Sequence, residues 1–246
     1  MTIYNMDCFA ALAMTVFFLC DKINFIDFCA MEFAFMKKYL KAIILTLSFV
    51  LFTVAVKFIG VQPVGAEGSE IGFAALNLAV NKLFGEHSFW YLLTEAFGVL
   101  AICLMAAFAL LGFVQLIKRK SFLKIDRKIL VLGGTYVVLI LLYVFFEKLV
   151  INYRPIVSNG VLEASYPSSH TMLILTVFGT ALSLIGDYIK KPGLVKILHY
   201  VIFCIMILTI VGRLICGVHW FTDIIGGVLA SAALISWFKS FEKRNH

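Results

Sequence analysis

Arg213, His219 and Asp223 lie close together in an otherwise apolar part of the chain. Charged residues beside apolar segments of membrane-spanning type are costly, so they are candidates for function. His219 and Asp223 are four residues apart, and a helix through both would place them on one face. The aspartate could then accept a hydrogen bond from one imidazole nitrogen and leave the other free to attack. A planar guanidinium suits two phosphate oxygens, and Gly217 permits the turn that would bring Arg213 to the same pocket.

Two further stretches have residue types that fit the same chemistry. Residues 148–155 read KLVINYRP, and residues 166–170 read YPSSH. Together with residues 213–223, they resemble the signature of the type 2 phosphatidic acid phosphatase superfamily, which also includes the vanadium haloperoxidases. That signature reads K-x6-R-P, then P-S-G-H, then S-R-x5-H-x3-D. The resemblance extends from about Glu147 to Asp223, and it is carried by the order and spacing of the three blocks.

The resemblance implies a role for each matching residue. His219 would be the nucleophile and form a phosphohistidine, and Asp223 would orient it. His170 would protonate the leaving group and later help to activate water. The phosphoryl oxygens would be held by four further side chains and nearby backbone N–H groups: Arg154, Arg213, Ser168 and Ser169. A helix that begins at His170 would strengthen phosphate binding by these groups, because a helix N-terminus favours an anion.

Three positions differ from the family pattern. Glu147 occupies the place of the family's lysine, and Lys148 follows one residue later, about 100° further round a helix. Two interpretations therefore stay open: Lys148 reaches the phosphate through its long stem, or Glu147 faces the site. Ser169 replaces the glycine of the second block, and Gly212 replaces the serine before the arginine.

The composition is that of an integral membrane protein. Of 246 residues, 62% are hydrophobic and 14% are charged, and the mean hydropathy is +1.01. A soluble domain is about half apolar and about a quarter charged. The net charge of +7 comes from basic clusters between apolar runs, which does not indicate nucleic-acid binding. The six cysteines include no C-x-x-C pair, so neither a metal site nor a disulfide framework is indicated, and no cofactor is expected.

The apolar runs predict an all-α polytopic bundle with about six transmembrane helices, over residues 42–61, 89–117, 129–146, 171–185, 197–211 and 224–238. Residues 70–84 are mildly amphipathic and either lie in the membrane interface or form an ordinary surface helix. Trp220 is expected in the aromatic belt at the membrane surface.

The N-terminal 35 residues do not fit this pattern, because their longest apolar run is too short to span a bilayer. Residues 36–41, MKKYLK, are typical of a bacterial protein start. We therefore interpret residues 1–35 as an upstream extension or a loosely held surface segment, and residues 36–246 as the membrane phosphatase domain. A seventh span is the less favoured alternative.

The basic clusters predict the orientation of the chain. Six spans place all of them on one side, which the positive-inside rule makes cytoplasmic: Lys37 to Lys41, Lys118 to Lys128, Lys190 to Lys196, and Lys239 to Arg244. The three motif blocks then fall on the other side. The sequence thus predicts a multi-pass protein of the cell membrane with an extracytoplasmic active site.

The expected function is metal-independent hydrolysis of a lipid phosphate or diphosphate. Metal independence is expected because Asp223 is the only acid of its block, and Mg²⁺ sites usually use several carboxylates. Undecaprenyl diphosphate, phosphatidylglycerophosphate and phosphatidic acid are all compatible substrates. A haloperoxidase is disfavoured because those relatives are soluble. The alternative is a non-enzymatic lipid-binding or transport protein with a degenerate phosphatase site, and the oligomeric state is left open.

Overall fold

Helices account for all the regular secondary structure of the described residues. The structure is a computed structural model that describes residues 25–157 and 160–242, with side chains from residue 38 onward. These residues form seven α-helices and no strand: α1 (Phe25–Phe58), α2 (Ala74–Phe84), α3 (Ser88–Arg119), α4 (Arg127–Lys148), α5 (Ser169–Tyr188), α6 (Pro192–Ile215) and α7 (Phe221–Glu242). All except α2 are long and apolar enough to cross a membrane. The predicted all-α bundle with six spans is confirmed.

The first described helix extends across residue 36, where the membrane domain was predicted to begin. Helix α1 begins at Phe25 and runs through residue 36 without a break. The chain divides into two compact units, residues 1–41 and residues 42–246, and the second holds all three motif blocks. Residues 1–24 lie outside the described residues, so the interpretation of residues 1–35 as an extension stays a prediction.

Helices α5 and α7 form the centre of the second unit. Within their spans, 61% and 56% of the residues are buried, compared with 11% in α3 and α6. Small residues allow this packing, because a Cβ atom on Gly227 would lie 2.9 Å from Cβ of Thr171. The outer helices expose long apolar side chains, as lipid-facing helices do. The two central helices therefore position the second and third motif blocks, which immediately precede or begin them.

Helix α2 is not simply an interfacial or surface helix. Its Asn77 is fully buried, although its polar side chain would be expected on the wet face of an amphipathic segment. The amide donates to the hydroxyl of Thr222 at 2.9 Å and accepts from the Thr222 N–H at 3.1 Å. Helix α2 therefore caps the start of α7, where orphan N–H groups need partners.

The opposite end of the bundle carries surface ion pairs. Arg119 contacts Asp126 at 2.7 Å, and Lys128 contacts Asp187 at 2.6 Å. The hydrogen bond from Arg119 is the largest cause of a lowered pKa at Asp126, because it favours the carboxylate. These pairs join the α3–α4 turn and the end of α5, so they hold neighbouring helix ends in register.

We expect Gly226→Ala to destabilise the protein. A Cβ atom there would lie 2.4 Å from Cε2 of the Tyr166 ring, and Tyr166 is itself buried and bonded to Thr53. Overpacking of this kind typically costs about 1–3 kcal/mol. Thermal unfolding in detergent measures the change. Gly133→Ala is the matched control, because a Cβ there meets no atom within 4 Å. Equal stability of the two variants would contradict the tight packing at Gly226.

Candidate active site

The third motif block is divided between a turn and a helix. Helix α6 ends at Ile215 and α7 begins at Phe221, so His219 lies in the turn and Asp223 in the first turn of α7. No single helix therefore runs through both residues. The chain reverses at Gly217, whose φ of 75° favours glycine. This is the turn that brings Arg213 back to His219, as the sequence predicted.

A serine stands between His219 and Asp223. The distance from His219 Nδ1 to Asp223 Oδ2 is 3.8 Å, which is too long for a hydrogen bond. The Ser165 hydroxyl lies 3.2 Å from His219 Nδ1 and donates a hydrogen bond to Asp223 Oδ2. In the described structure, the aspartate therefore acts on the imidazole through Ser165 rather than directly.

The contacts of the ring fix its tautomer. Arg213 Nη2 lies 3.1 Å from His219 Nε2, and a guanidinium can only donate, so Nε2 must accept. The proton then sits on Nδ1 and points to Ser165. Burial lowers the pKa of His219 well below its usual value, and the nearby charges of Arg213, Arg154 and His170 lower it further. His219 is consequently neutral, with the lone pair of Nε2 on the arginine side.

Asp223 is completely buried and is held by three donors. Besides Ser165, the Trp220 N–H donates to Oδ2 at 2.9 Å and the Asn152 amide donates to Oδ1 at 3.3 Å. The contact with Trp220 resembles a capping box, in which an acidic side chain at the third helical position reaches back to the cap N–H. Asn152 is anchored in turn, because its Oδ1 accepts from the N–H of Gly72 at 3.2 Å.

Arg213 connects the third block to helix α3. The residue is fully buried in the last turn of α6. Its Nη1 contacts Thr94 Oγ1 and Glu95 Oε1, each at 3.3 Å, and its guanidinium lies 5.6 Å from the centre of the Tyr91 ring. These contacts give the buried cation polar and aromatic partners within an apolar bundle.

His170 lies in the first turn of α5 and contacts the same carboxylate. Its Nε2 is 3.0 Å from Glu95 Oε1. A Cβ atom on Gly98 would lie 3.0 Å from the imidazole Cδ2 and 3.1 Å from its Nε2. Because Gly98 has no side chain, the His170 ring can pack against α3 at this position. Glu95 thus joins the histidine of the second block to the arginine of the third.

Arg154 is positioned by a short antiparallel pairing of the loop between α4 and α5. Tyr153 forms a bridge with Ala164, and the Arg154 N–H donates to the carbonyl of Glu163 at 3.0 Å. The Arg154 guanidinium also contacts the Glu163 carboxylate at 3.1 Å. The same pairing places Ser165 beside Asn152, with the Ser165 N–H donating to the Asn152 carbonyl at 2.9 Å.

Three buried polar atoms around this centre have no hydrogen-bond partner among the described residues: Nε of Arg154, Nδ1 of His170 and Nε of Arg213. Unsatisfied buried groups are rare in folded proteins, and two of these are donors on cations. The arrangement fits an anion with several oxygens, such as a phosphoryl group.

Not every predicted residue reaches this centre. Ser168 is the N-cap of α5, and its hydroxyl accepts from the backbone and side chain of Thr171. Ser169 lines a small cavity beside His219, and Glu147 lines the same cavity. Lys148 is exposed at the end of α4 and does not line that cavity.

Trp220 does not belong to an aromatic belt. It is 3% exposed, and its indole N–H donates to the Tyr153 carbonyl at 2.7 Å. The expectation of a membrane-surface position was wrong because the indole N–H finds its partner inside the protein, in the loop of the first motif block.

Sequence reasoning missed five residues of the site: Asn77, Thr94, Glu95, Asn152 and Ser165. Glu95 had a usable signal, because it is the only charged residue of the predicted span 89–117 and an ionisable residue inside a span indicates function. The other four are uncharged, and nothing in their spacing distinguishes them from ordinary loop or helix residues.

An apolar cleft opens directly beside His170. It has a volume of about 410 Å³ and lies between α3, α4 and α5. Glu95, Ser169 and His170 line its polar part, and the rest is mostly aliphatic, including Ile102, Leu139 and Leu173. The combination of a polar end and an apolar body is what a lipid with a charged headgroup requires.

Comparisons with known proteins agree with this geometry. Residues 145–246 match the PAP2 superfamily, and this range includes all three motif blocks. The fold is similar to that of the transmembrane PAP2-type phosphatidylglycerolphosphate phosphatase from Bacillus subtilis, with a TM-score of 0.57 and 19% sequence identity. The similarity covers 82% of this chain and 94% of that one. No curated protein matches the chain.

The resemblance noted in the sequence is thereby confirmed. Residues 145–246 match the PAP2 superfamily, and the transmembrane bundle that carries them has a fold similar to that of a PAP2-type phosphatase.

Proposed function

We propose that this protein hydrolyses a lipid phosphate at the extracytoplasmic membrane surface through a phosphohistidine intermediate and without a metal ion. The observation that carries the proposal is the state of His219. Its Nε2 lone pair is free of a proton and faces Arg213, and its Nδ1 proton points through Ser165 to Asp223. A neutral, oriented imidazole is what nucleophilic catalysis needs.

In the first step, Nε2 of His219 forms a bond to phosphorus while the bond from phosphorus to the lipid oxygen breaks. The leaving oxygen keeps the electron pair and takes a proton from His170. The imidazolium that forms at His219 is stabilised by the path through Ser165 to Asp223. Arg154 and Arg213 bind the phosphoryl oxygens, whose charge grows as the bond breaks.

In the second step, His170 takes a proton from a water molecule, and the water oxygen attacks phosphorus. The bond between phosphorus and Nε2 breaks, and its electron pair returns to His219. Inorganic phosphate leaves, and both histidines regain their starting protonation. His170 lies beside the cleft, which supports its roles as acid in the first step and base in the second. The lipid would leave, and the water would enter, on the side of the phosphoryl group that faces His170.

His219→Ala should abolish phosphate release from phosphatidic acid by the purified protein. Loss of a nucleophile that acts together with its partners should lower kcat by at least about a thousandfold. His199→Ala is the matched control, because His199 lies on α6 away from the motif blocks and its ring bonds to the carbonyl of Val195 in the same helix. An alkaline quench of the wild-type reaction with labelled substrate should trap phosphohistidine, and the His219 variant should not.

The outcome separates the enzyme from the alternative of a lipid-binding or transport protein. Retained activity in His219→Ala would remove the phosphohistidine mechanism. Absence of phosphate release from any lipid phosphate, in a wild-type protein that still binds such lipids, would favour the non-enzymatic alternative.

Chelation should leave the reaction unchanged. Among residues 25–157 and 160–242, no group of three or more His, Cys, Asp or Glu side chains is placed to hold a metal ion. The cations Arg154 and Arg213 are available to neutralise phosphate charge instead. Initial rates with and without EDTA provide the measurement. Loss of activity in EDTA that Mg²⁺ restores would contradict metal-independent catalysis.

The orientation can be tested with single cysteines at two exposed positions. Val161, in the loop of the motif end, is 59% exposed, and Leu123, between α3 and α4, is 95% exposed. In a background without the six native cysteines, a membrane-impermeant reagent applied to intact cells should label Val161→Cys and leave Leu123→Cys unlabelled. The reverse pattern would put the site on the cytoplasmic side.

A further inference from the structure

Glu95 is the feature that the proposed reaction does not explain. It lies inside the span of α3, where a carboxylate is costly. It contacts Nε2 of His170 at 3.0 Å and Nη1 of Arg213 at 3.3 Å, yet its side chain is 35% exposed toward the cleft. A negative charge is therefore held at the entrance to a site that has to bind an anion.

The cleft shows on which side of the phosphoryl group Glu95 lies. The transferred group belongs beside His219, which is fully enclosed, whereas Glu95 and His170 line the apolar cleft. That cleft offers the hydrocarbon part of a lipid an apolar surface directly beside His170. The leaving oxygen and whatever joins it to the lipid therefore come next to Glu95.

The leaving group of a lipid phosphate monoester differs in charge from the leaving group of a lipid diphosphate. A lipid phosphate monoester loses an alcohol, which is neutral once it has taken a proton from His170. A lipid diphosphate loses a lipid monophosphate, which needs no proton but carries negative charge before and after the bond breaks. Beside a carboxylate in a low-dielectric cleft, the second leaving group is repelled and the first is not.

We propose that Glu95 makes the site selective for lipid phosphate monoesters over lipid diphosphates. The inference rests on the proposed function, because it assigns the leaving-group side of that reaction. With a monoester, the alcohol oxygen needs only His170, and Glu95 can keep its contact with Arg213. With a diphosphate, the Glu95 carboxylate and the phosphate next to the lipid would compete for the same two cationic partners, Arg213 and protonated His170.

Farnesyl monophosphate and farnesyl diphosphate test this selectivity, because they differ only in the number of phosphates. Initial rates in detergent give kcat/KM for each, with farnesol and farnesyl monophosphate measured as the first products. The wild-type protein should prefer the monophosphate by at least tenfold. Glu95→Gln keeps the size of the side chain and removes its charge, so the preference should fall at least tenfold.

Two further variants separate selectivity from support of the fold. Glu95→Asp keeps the charge and should keep the preference for the monophosphate. Glu70→Gln removes an exposed carboxylate outside the site and should leave both kcat/KM values unchanged. If Glu95→Gln lowers both values equally, Glu95 only supports Arg213 and His170, and the proposal is overturned.

The ratio of the two kcat/KM values in the wild-type protein is a second, separate test. A wild-type protein that hydrolyses both compounds equally, or prefers the diphosphate, overturns the role of Glu95 while leaving lipid phosphate hydrolysis intact. Failure to hydrolyse either compound or phosphatidic acid overturns the proposed function itself, and the selectivity with it.

Discussion

The site depends on the hydrogen bonds that the buried carboxylate of Asp223 accepts. It is completely enclosed, and an enclosed carboxylate without partners would be very costly. Its donors come from two separate segments: Asn152 and Ser165 from the loop between α4 and α5, and Trp220 from the turn before α7. The backbone carbonyl of Asp223 also accepts a hydrogen bond from the Ser168 N–H at 2.9 Å. The same atoms that orient His219 therefore hold the motif loops to the central helices.

A second constraint comes from the two arginines, which carry charge into an apolar bundle. Arg213 is balanced by Glu95 of α3 and Arg154 by Glu163 of its own loop. Both pairs leave one guanidinium nitrogen unpartnered among the described residues. Each cation therefore has a carboxylate beside it and still has a donor to offer to a further anion. The ion pair with Arg213 also connects α3, one of the outer helices, to the polar centre of the bundle.

The sequence predicted the fold and the motif residues well, and their surroundings poorly. Six spans were identifiable because runs of apolar residues are a strong signal, and His170, Arg213, His219 and Asp223 came together as expected. Ser165 and Asn77 were not identifiable, because a hydroxyl or amide becomes important only through contacts between distant segments. The spacing of His219 and Asp223 did not decide whether one helix holds both, and the turn at Gly217 places His219 before the start of α7 at Phe221.

Gly212 allows α6 to pack closely against α3. A Cβ atom there would lie 2.8 Å from Thr94 Cγ2 and 3.1 Å from Cε3 of Trp90, so α3 and α6 touch where the family pattern has serine. A serine at 212 would bring its Cβ too close to both side chains, so the Thr94 methyl group or the Trp90 ring would have to shift. Because Thr94 and Glu95 of α3 both contact Arg213 of α6, this close approach also brings α3 near enough to supply partners for the buried guanidinium.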